Sequence, residues 1–262
     1  MEPASLAWSS VAQPTTLKRP PITEALVDLR ATIPGDLESF SALARQLHNR
    51  FPHLQENRQF EGKLEFEGGD VRSHVSPPAF AGIFAANEEK TIYVQFRPDG
   101  FTLNNVVKTA GSYIGGDQLI GEALDLWRWL VERTEITGVS RVGLYYLNQL
   151  DGLPLKPGER TNLYFRNPPT LPPGSPQTIK GFLSQITAYD QDRKANVIVI
   201  QQVKPPPKKG EIPPVRIAVD VFQIGAFPVD TATLGGILGS LRELKNEIFF
   251  SLLTDRAVRH YQ

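Results

Sequence analysis

Apolar and polar residues alternate along much of this chain with the two-residue period of a half-buried strand. From Ile22 to Ile33, Ala25, Val27, Leu29 and Ala31 alternate with Glu24, Leu26, Asp28 and Arg30, which predicts a first strand. Pro34-Gly35-Asp36 then makes a turn and supplies an N-cap. The following helix is expected over 37–51, where Leu37, Phe40, Leu43, Ala44 and Leu47 recur at helical spacing until Pro52 stops it. Leu54 to Glu67 alternates weakly and reads as one long, twisted strand ending at the Gly68-Gly69-Asp70 turn. Strands at 80–87, 91–97 and 100–106 form a meander, with turns at Asn87-Glu88-Glu89-Lys90 and Arg97-Pro98-Asp99-Gly100. A second helix is expected over 117–134, with Leu119, Ile120, Ala123, Leu126, Trp127 and Leu130 inward.

The pattern then begins again. A strand at 139–150 precedes a Pro-rich stretch, 154–176, with a short strand at 162–166, and such a long loop inside a compact domain reads as functional or mobile. Strands at 181–189 and 195–203 flank the Asp190-Gln191-Asp192-Arg193-Lys194 turn. A basic Pro-rich loop, 204–214, leads to a strand at 215–224, and one long helix over 231–261 closes the chain. The first half thus reads β-α-β-β-β-β-α and the second β-loop-β-β-β-α. The expected fold class is α+β: an antiparallel sheet with helices on one face, built from two similar halves. Those halves, 21–137 and 138–262, are expected to pack as one globular unit behind an N-terminal arm, 1–20, in which Trp8 is a pinning residue.

Composition narrows the chemistry. The 262 residues carry 28 basic and 28 acidic side chains, so the counterion release that drives non-specific nucleic-acid binding lacks a global charge to work with. The charge is nonetheless uneven: 13 basic and 18 acidic side chains in 1–137, against 15 and 10 in 138–262. The absence of cysteine excludes disulfides, thiolate zinc sites, iron–sulfur clusters and Cys nucleophiles. Residues 1–16 lack the basic and apolar regions of a signal peptide, and no run approaches the ~20 apolar residues of a bilayer-spanning helix, so a cytoplasmic location away from membranes is expected.

Reactive motifs are missing. His48, His53, His74 and His260 include no pair at metal-ligand spacing, and no phosphate loop or nucleophile elbow is present; no metal, cofactor or catalytic residue is nominated. Gly115-Gly116-Asp117 reads as a turn followed by an Asp cap. In the final helix, Gly235, Gly236 and Gly239 suit either close backbone packing against the sheet or a partner helix, or a later start of the helix. Its stripe of Leu234, Ile237, Leu238, Leu241, Leu244, Ile248 and Leu252 is widened by Phe249, Phe250 and Leu253. An apolar surface that wide needs cover, either from the chain's own sheet or from a second subunit.

Asp220 breaks its strand's apolar run beside Phe222, and Arg141 shares a strand face with Tyr145. If those strands adjoin, Arg141 and Asp220 pair with Tyr145 nearby, either fixing the fold or meeting a ligand. Arg141, Tyr145, Asn148 and Asp220 are therefore the candidate ligand- or partner-binding positions.

Four segments in order, Pro20-Pro21-Ile22-Thr23-Glu24-Ala25, Arg141 to Asn148, Val219-Asp220-Val221, and Leu241-Arg242 with Phe249 to Asp255, resemble a sporadically distributed family of uncharacterised bacterial proteins of about this length. The family pattern has an arginine where this chain has Tyr145. The resemblance implies a bacterial source and a fold type; its patchy distribution suits a defence or toxin-neutralising role, and it implies no mechanism.

Three functional readings follow. The preferred one is a non-enzymatic interaction protein that binds a protein partner, or its own copy, through the proline loop and the exposed side of the final helix. A second is a small-molecule binder or enzyme with a groove between sheet and helices. The third is nucleic-acid binding through Arg160, Arg166, Lys204, Lys208 and Lys209, with Tyr164 and Phe165 available for stacking.

Overall fold

A computed structural model describes residues 16–59, 62–67, 70–75, 79–109, 111–150, 165–166, 169, 172, 174, 181–203 and 215–262. The elements are β1 (Ile22–Arg30), α1 (Leu37–Gln46), β2 (His53–Gln59), β3 (Gly62–Glu67), β4 (Asp70–Val75), β5 (Ala79–Ala86), β6 (Ile92–Arg97), β7 (Gly100–Val106) and α2 (Gly116–Val131). They continue with β8 (Val139–Gln149), β9 (Phe182–Asp190), β10 (Ala195–Val203), β11 (Val215–Phe227), α3 (Thr231–Leu252) and α4 (Asp255–Tyr261). The fold is α+β. Nine strands form one antiparallel sheet in the order β2-β5-β6-β7-β1-β8-β11-β10-β9, and β3 and β4 pair separately. The orders β5-β6-β7-β1 and β9-β10-β11-β8 correspond strand for strand, the topological form of the repeated pattern.

Several expectations need correction. The stretch 54–67 is two strands in two sheets, and β4, unforeseen, pairs with β3. The first helix ends at Gln46 and continues only as turns, with the Leu47 N–H bonding back to Ala44 and Arg45. Asp117 is not the cap of α2: that position is Gly115, which has no side chain to offer. The final helix breaks after Leu252, where Thr254 accepts from the Ala257 N–H and starts α4 as a new N-cap. The arm's Trp8, most of the proline loop and the basic loop at 204–214 lie outside the described residues.

Contacts divide the chain into two compact units that do not follow the 137/138 boundary: 26–142 with 224–236, here the N-unit, and residues up to 25 with 143–223 and 237–262, the C-unit.

In the N-unit the Asp36 carboxylate caps α1 by accepting the Ser39 N–H at 2.9 Å. The helix buries Phe40, Leu43 and Ala44. β6 buries Ile92, Val94 and Phe96 and turns Tyr93, Gln95 and Arg97 the other way. Ile83 of β5 pairs with Phe96. Further along β5 the register against β2 slips between Asn57 and Arg58, so that one extra residue, Ala81, is accommodated beside Gly82. That bulge returns Phe80 to the helix-facing side, where its ring meets Phe40 at 5.4 Å. Gly82 is required there: φ is +143°, and a Cβ would stand 2.5 Å from the Phe96 carbonyl oxygen. Trp129 and Trp127 of α2 meet Phe96 and Phe101, both at 6.1 Å, so both helices of the unit cover one sheet face. Trp127 is buried and donates its indole N–H to the Val229 carbonyl at 2.9 Å.

In the C-unit β10 pairs with β11 from Val203↔Val215 to Asn196↔Phe222, and with β9 from Val203↔Phe182 to Ala195↔Asp190. The part of α3 in this unit buries Leu238, Leu241, Leu244, Phe249 and Phe250. At its C-terminus the Arg166 N–H and Nε donate to the Leu252 and Leu253 carbonyls at 3.0 and 2.8 Å, answering the open end of the helix with a cation.

Candidate functional site

Three polar or exposed features compete for function. The first lies on the N-unit sheet face opposite the two helices. Asp28 of β1 is buried, and its Oδ1 accepts from Arg97 at 2.9 Å and from Thr102 at 3.0 Å. Its Oδ2 accepts from Arg30 Nε at 3.0 Å and from Arg141. Arg97 also reaches Gln95 at 2.9 Å and Asp99 at 3.0 Å, and Arg30 bonds Asp99 as well. Burial alone would raise the Asp28 carboxyl, but Arg30, Arg141 and Arg97 together outweigh it and hold the group below the ordinary carboxylate range. The carboxylate is already answered by four donors, so the cluster acts as an internal ion lock joining β1, β6, β7 and β8.

The second feature is a polar group on β8 and β11 of the C-unit. The Tyr145 hydroxyl is raised by burial first, then by the carboxylates of Glu24 and Asp220, with Arg216 acting in the opposite sense. Arg216 Nε donates to Gln149 at 3.3 Å. Here the structure brings the expected Tyr145 and Asp220 within electrostatic reach of each other, together with Glu24 and Arg216. Arg141, four residues nearer the start of β8 than Tyr145, donates to Asp28 of the N-unit. Asn148 alternates away from Tyr145; it is buried and donates to the Ile217 carbonyl at 3.3 Å. Its role is to bridge strands. Arg166, considered for nucleic acid, is engaged at the end of α3 and with Asp255 at 3.1 Å.

Lys245 is the buried cation that the pattern along α3 did not reveal. Its Nζ stands 3.9 Å from the centre of the Tyr146 ring. Burial first, and then Arg242, push its ammonium down to about 7.

The third feature is the outer edge of β9, the terminal strand in the sheet order. Leu183 is 68 % exposed, Ile186 56 % and Tyr189 50 %. Natural edge strands are guarded by charge, proline or bulges. The opposite terminal strand, β2, carries His53, Glu56 and Arg58. β9 reads FLSQITAYD, with no proline and no basic residue, and its acid, Asp190, is held at the strand end by the Arg193 N–H at 2.8 Å and side chain at 3.2 Å. Among the described residues no strand pairs with its outer side. The large apolar side chains of α3 are buried or half-buried, whereas the exposed ones lie on β9, at Ile224 of β11 and at Leu54 of β2.

A groove of about 650 Å³ between α1 and β2 is lined by Asp36, Glu38, Arg45, Leu54 and Glu56 among others, and by none of the four residues nominated from sequence. Among the described residues no cluster of three or more His, Asp or Glu has metal-binding geometry, and no helix is long and apolar enough to cross a membrane. No protein-family model and no curated protein matches the chain.

Proposed function

We propose that this chain is a non-enzymatic interaction protein that binds a protein partner by strand addition at the edge of β9. One observation carries the reading: a nine-residue terminal strand that exposes Leu183, Ile186 and Tyr189 and lacks the charges that guard β2 at the other end of the order. An added strand satisfies the outward N–H and C=O groups, while exposed alternate side chains supply specificity. The Asp28 lock and the buried Lys245 support the reading, because both place ionic groups where they shape a scaffold. The defence or toxin-neutralising setting suggested by the family resemblance is compatible with such a scaffold, as is the cytoplasmic location expected from the sequence.

The test is retention of a partner by the immobilised full chain, compared with Ile186→Lys. Ile186 is more than half exposed, so the change leaves the fold intact while placing a charge at the edge. Loss of the specific partner with Ile186→Lys supports the reading. Equal retention by both chains refutes it.

A further inference from the structure

We infer that the strand received by β9 is the β9 of a second copy of this chain, paired antiparallel about Ile186. This rests on the strand-addition reading and names its partner. The argument is self-complementarity. A two-fold axis at Ile186 places Leu183 opposite the copy's Tyr189, Gln185 opposite Thr187, Ser184 opposite Ala188, and Ile186 opposite itself. Apolar side chains meet apolar ones, and an amide meets a hydroxyl. The two faces also sort correctly. Leu183, Gln185, Thr187 and Tyr189 pair across β10 with Gln202, Ile200, Ile198 and Asn196, and so share one face. On that face the apolar Leu183–Tyr189 pairs bracket the polar centre, while on the other face Ile186 meets its own copy at the axis, flanked by the Ser184–Ala188 pairs.

Charge permits the match. The one ionised side chain of β9, Asp190, ends the strand, is paired with Arg193, and meets Phe182 rather than another acid. No like charges are brought together. Two nine-residue strands run alongside each other for about 30 Å. The contact is isologous, so it closes at two copies and consumes the unguarded edge of each.

The chain contains no cysteine, which makes introduced thiols clean reporters. Ile186→Cys is expected to give a disulfide-linked dimer under mild oxidation, because only the residue at the axis faces its own copy within bridging distance. Leu183→Cys alone is expected to stay monomeric on denaturing gels, and the Leu183→Cys/Tyr189→Cys double variant to cross-link. Sedimentation of the unmodified full chain is expected to show a dimer, and Ile186→Lys a monomer with an unchanged circular dichroism spectrum. Cross-linking through Leu183→Cys alone would overturn the register. A monomer at every concentration, with no Ile186→Cys product, would overturn the second copy as occupant. If that monomer still retains another protein in an Ile186-dependent way, strand addition stands and only this inference falls; if it retains none, both fall.

Discussion

Replacing Lys245 by methionine is expected to raise stability at neutral pH and to abolish a pH dependence expected of the parent chain. The ammonium is buried against Tyr146, and its ordinary value of 10.5 is lowered to about 7. Each pH unit of that change corresponds to about 1.4 kcal/mol, so the burial cost is about 5 kcal/mol. A desolvated cation over an aromatic ring recovers about 2 kcal/mol. Burial therefore dominates and fixes the sign. Between the lowered folded value and the unfolded value, the unfolded amine holds a proton that the folded one has released, so stability rises with pH through that window. The cost is fully present below about pH 7. Urea unfolding followed by tryptophan fluorescence at pH 6.5 and pH 9 reads both effects. The parent is expected to gain about 2 kcal/mol over that interval relative to Lys245→Met, and the variant to be the more stable at pH 6.5 by about 3 kcal/mol. Parallel pH profiles, with the variant less stable throughout, would refute the reasoning and make the buried ammonium a net stabilising group.

Asp28→Asn removes the charge that three arginines share and is expected to cost about 3–4 kcal/mol in urea unfolding. Because the folded carboxyl lies below the ordinary range, its stabilisation is present above about pH 4 and lost as pH falls through the folded value, so an acid titration of the variant should lack that limb. Gly100→Ala should lower stability by about 2–3 kcal/mol in the same assay, since φ is +156° and a Cβ would stand 2.4 Å from the Leu29 carbonyl oxygen; an unchanged midpoint would show that the turn yields easily.

The strands with the clearest alternation were legible because one face of each meets a core. β6, β8 and β10 fall within a residue of their expected ends. The break between β2 and β3 was obscured because 54–67 alternates weakly on both sides of it, although Gly62 within the run is a signal of interruption. Thr254-Asp255 likewise has the form of a helix start inside an apolar run that otherwise reads as one helix. The ion lock was not legible. Asp28 lies 69 residues from Arg97 and 113 from Arg141, and only the strand order brings them together. Tyr145 and Asp220 were found because an acid beside an aromatic is conspicuous in an apolar strand, whereas the reach of Arg141 to Asp28 had no local signal. The exposure of β9 depends on its terminal place in the sheet, which no local pattern encodes.

The docking edge is tested most directly by amide hydrogen exchange across 182–190, residue by residue, in dilute and concentrated full-length chain. The account predicts alternation in the dilute sample, with amides bonded to β10 slow and outward ones fast, and slowing of the outward set as concentration rises. Outward amides that exchange equally fast at every concentration, or that are already slow when dilute, would contradict it.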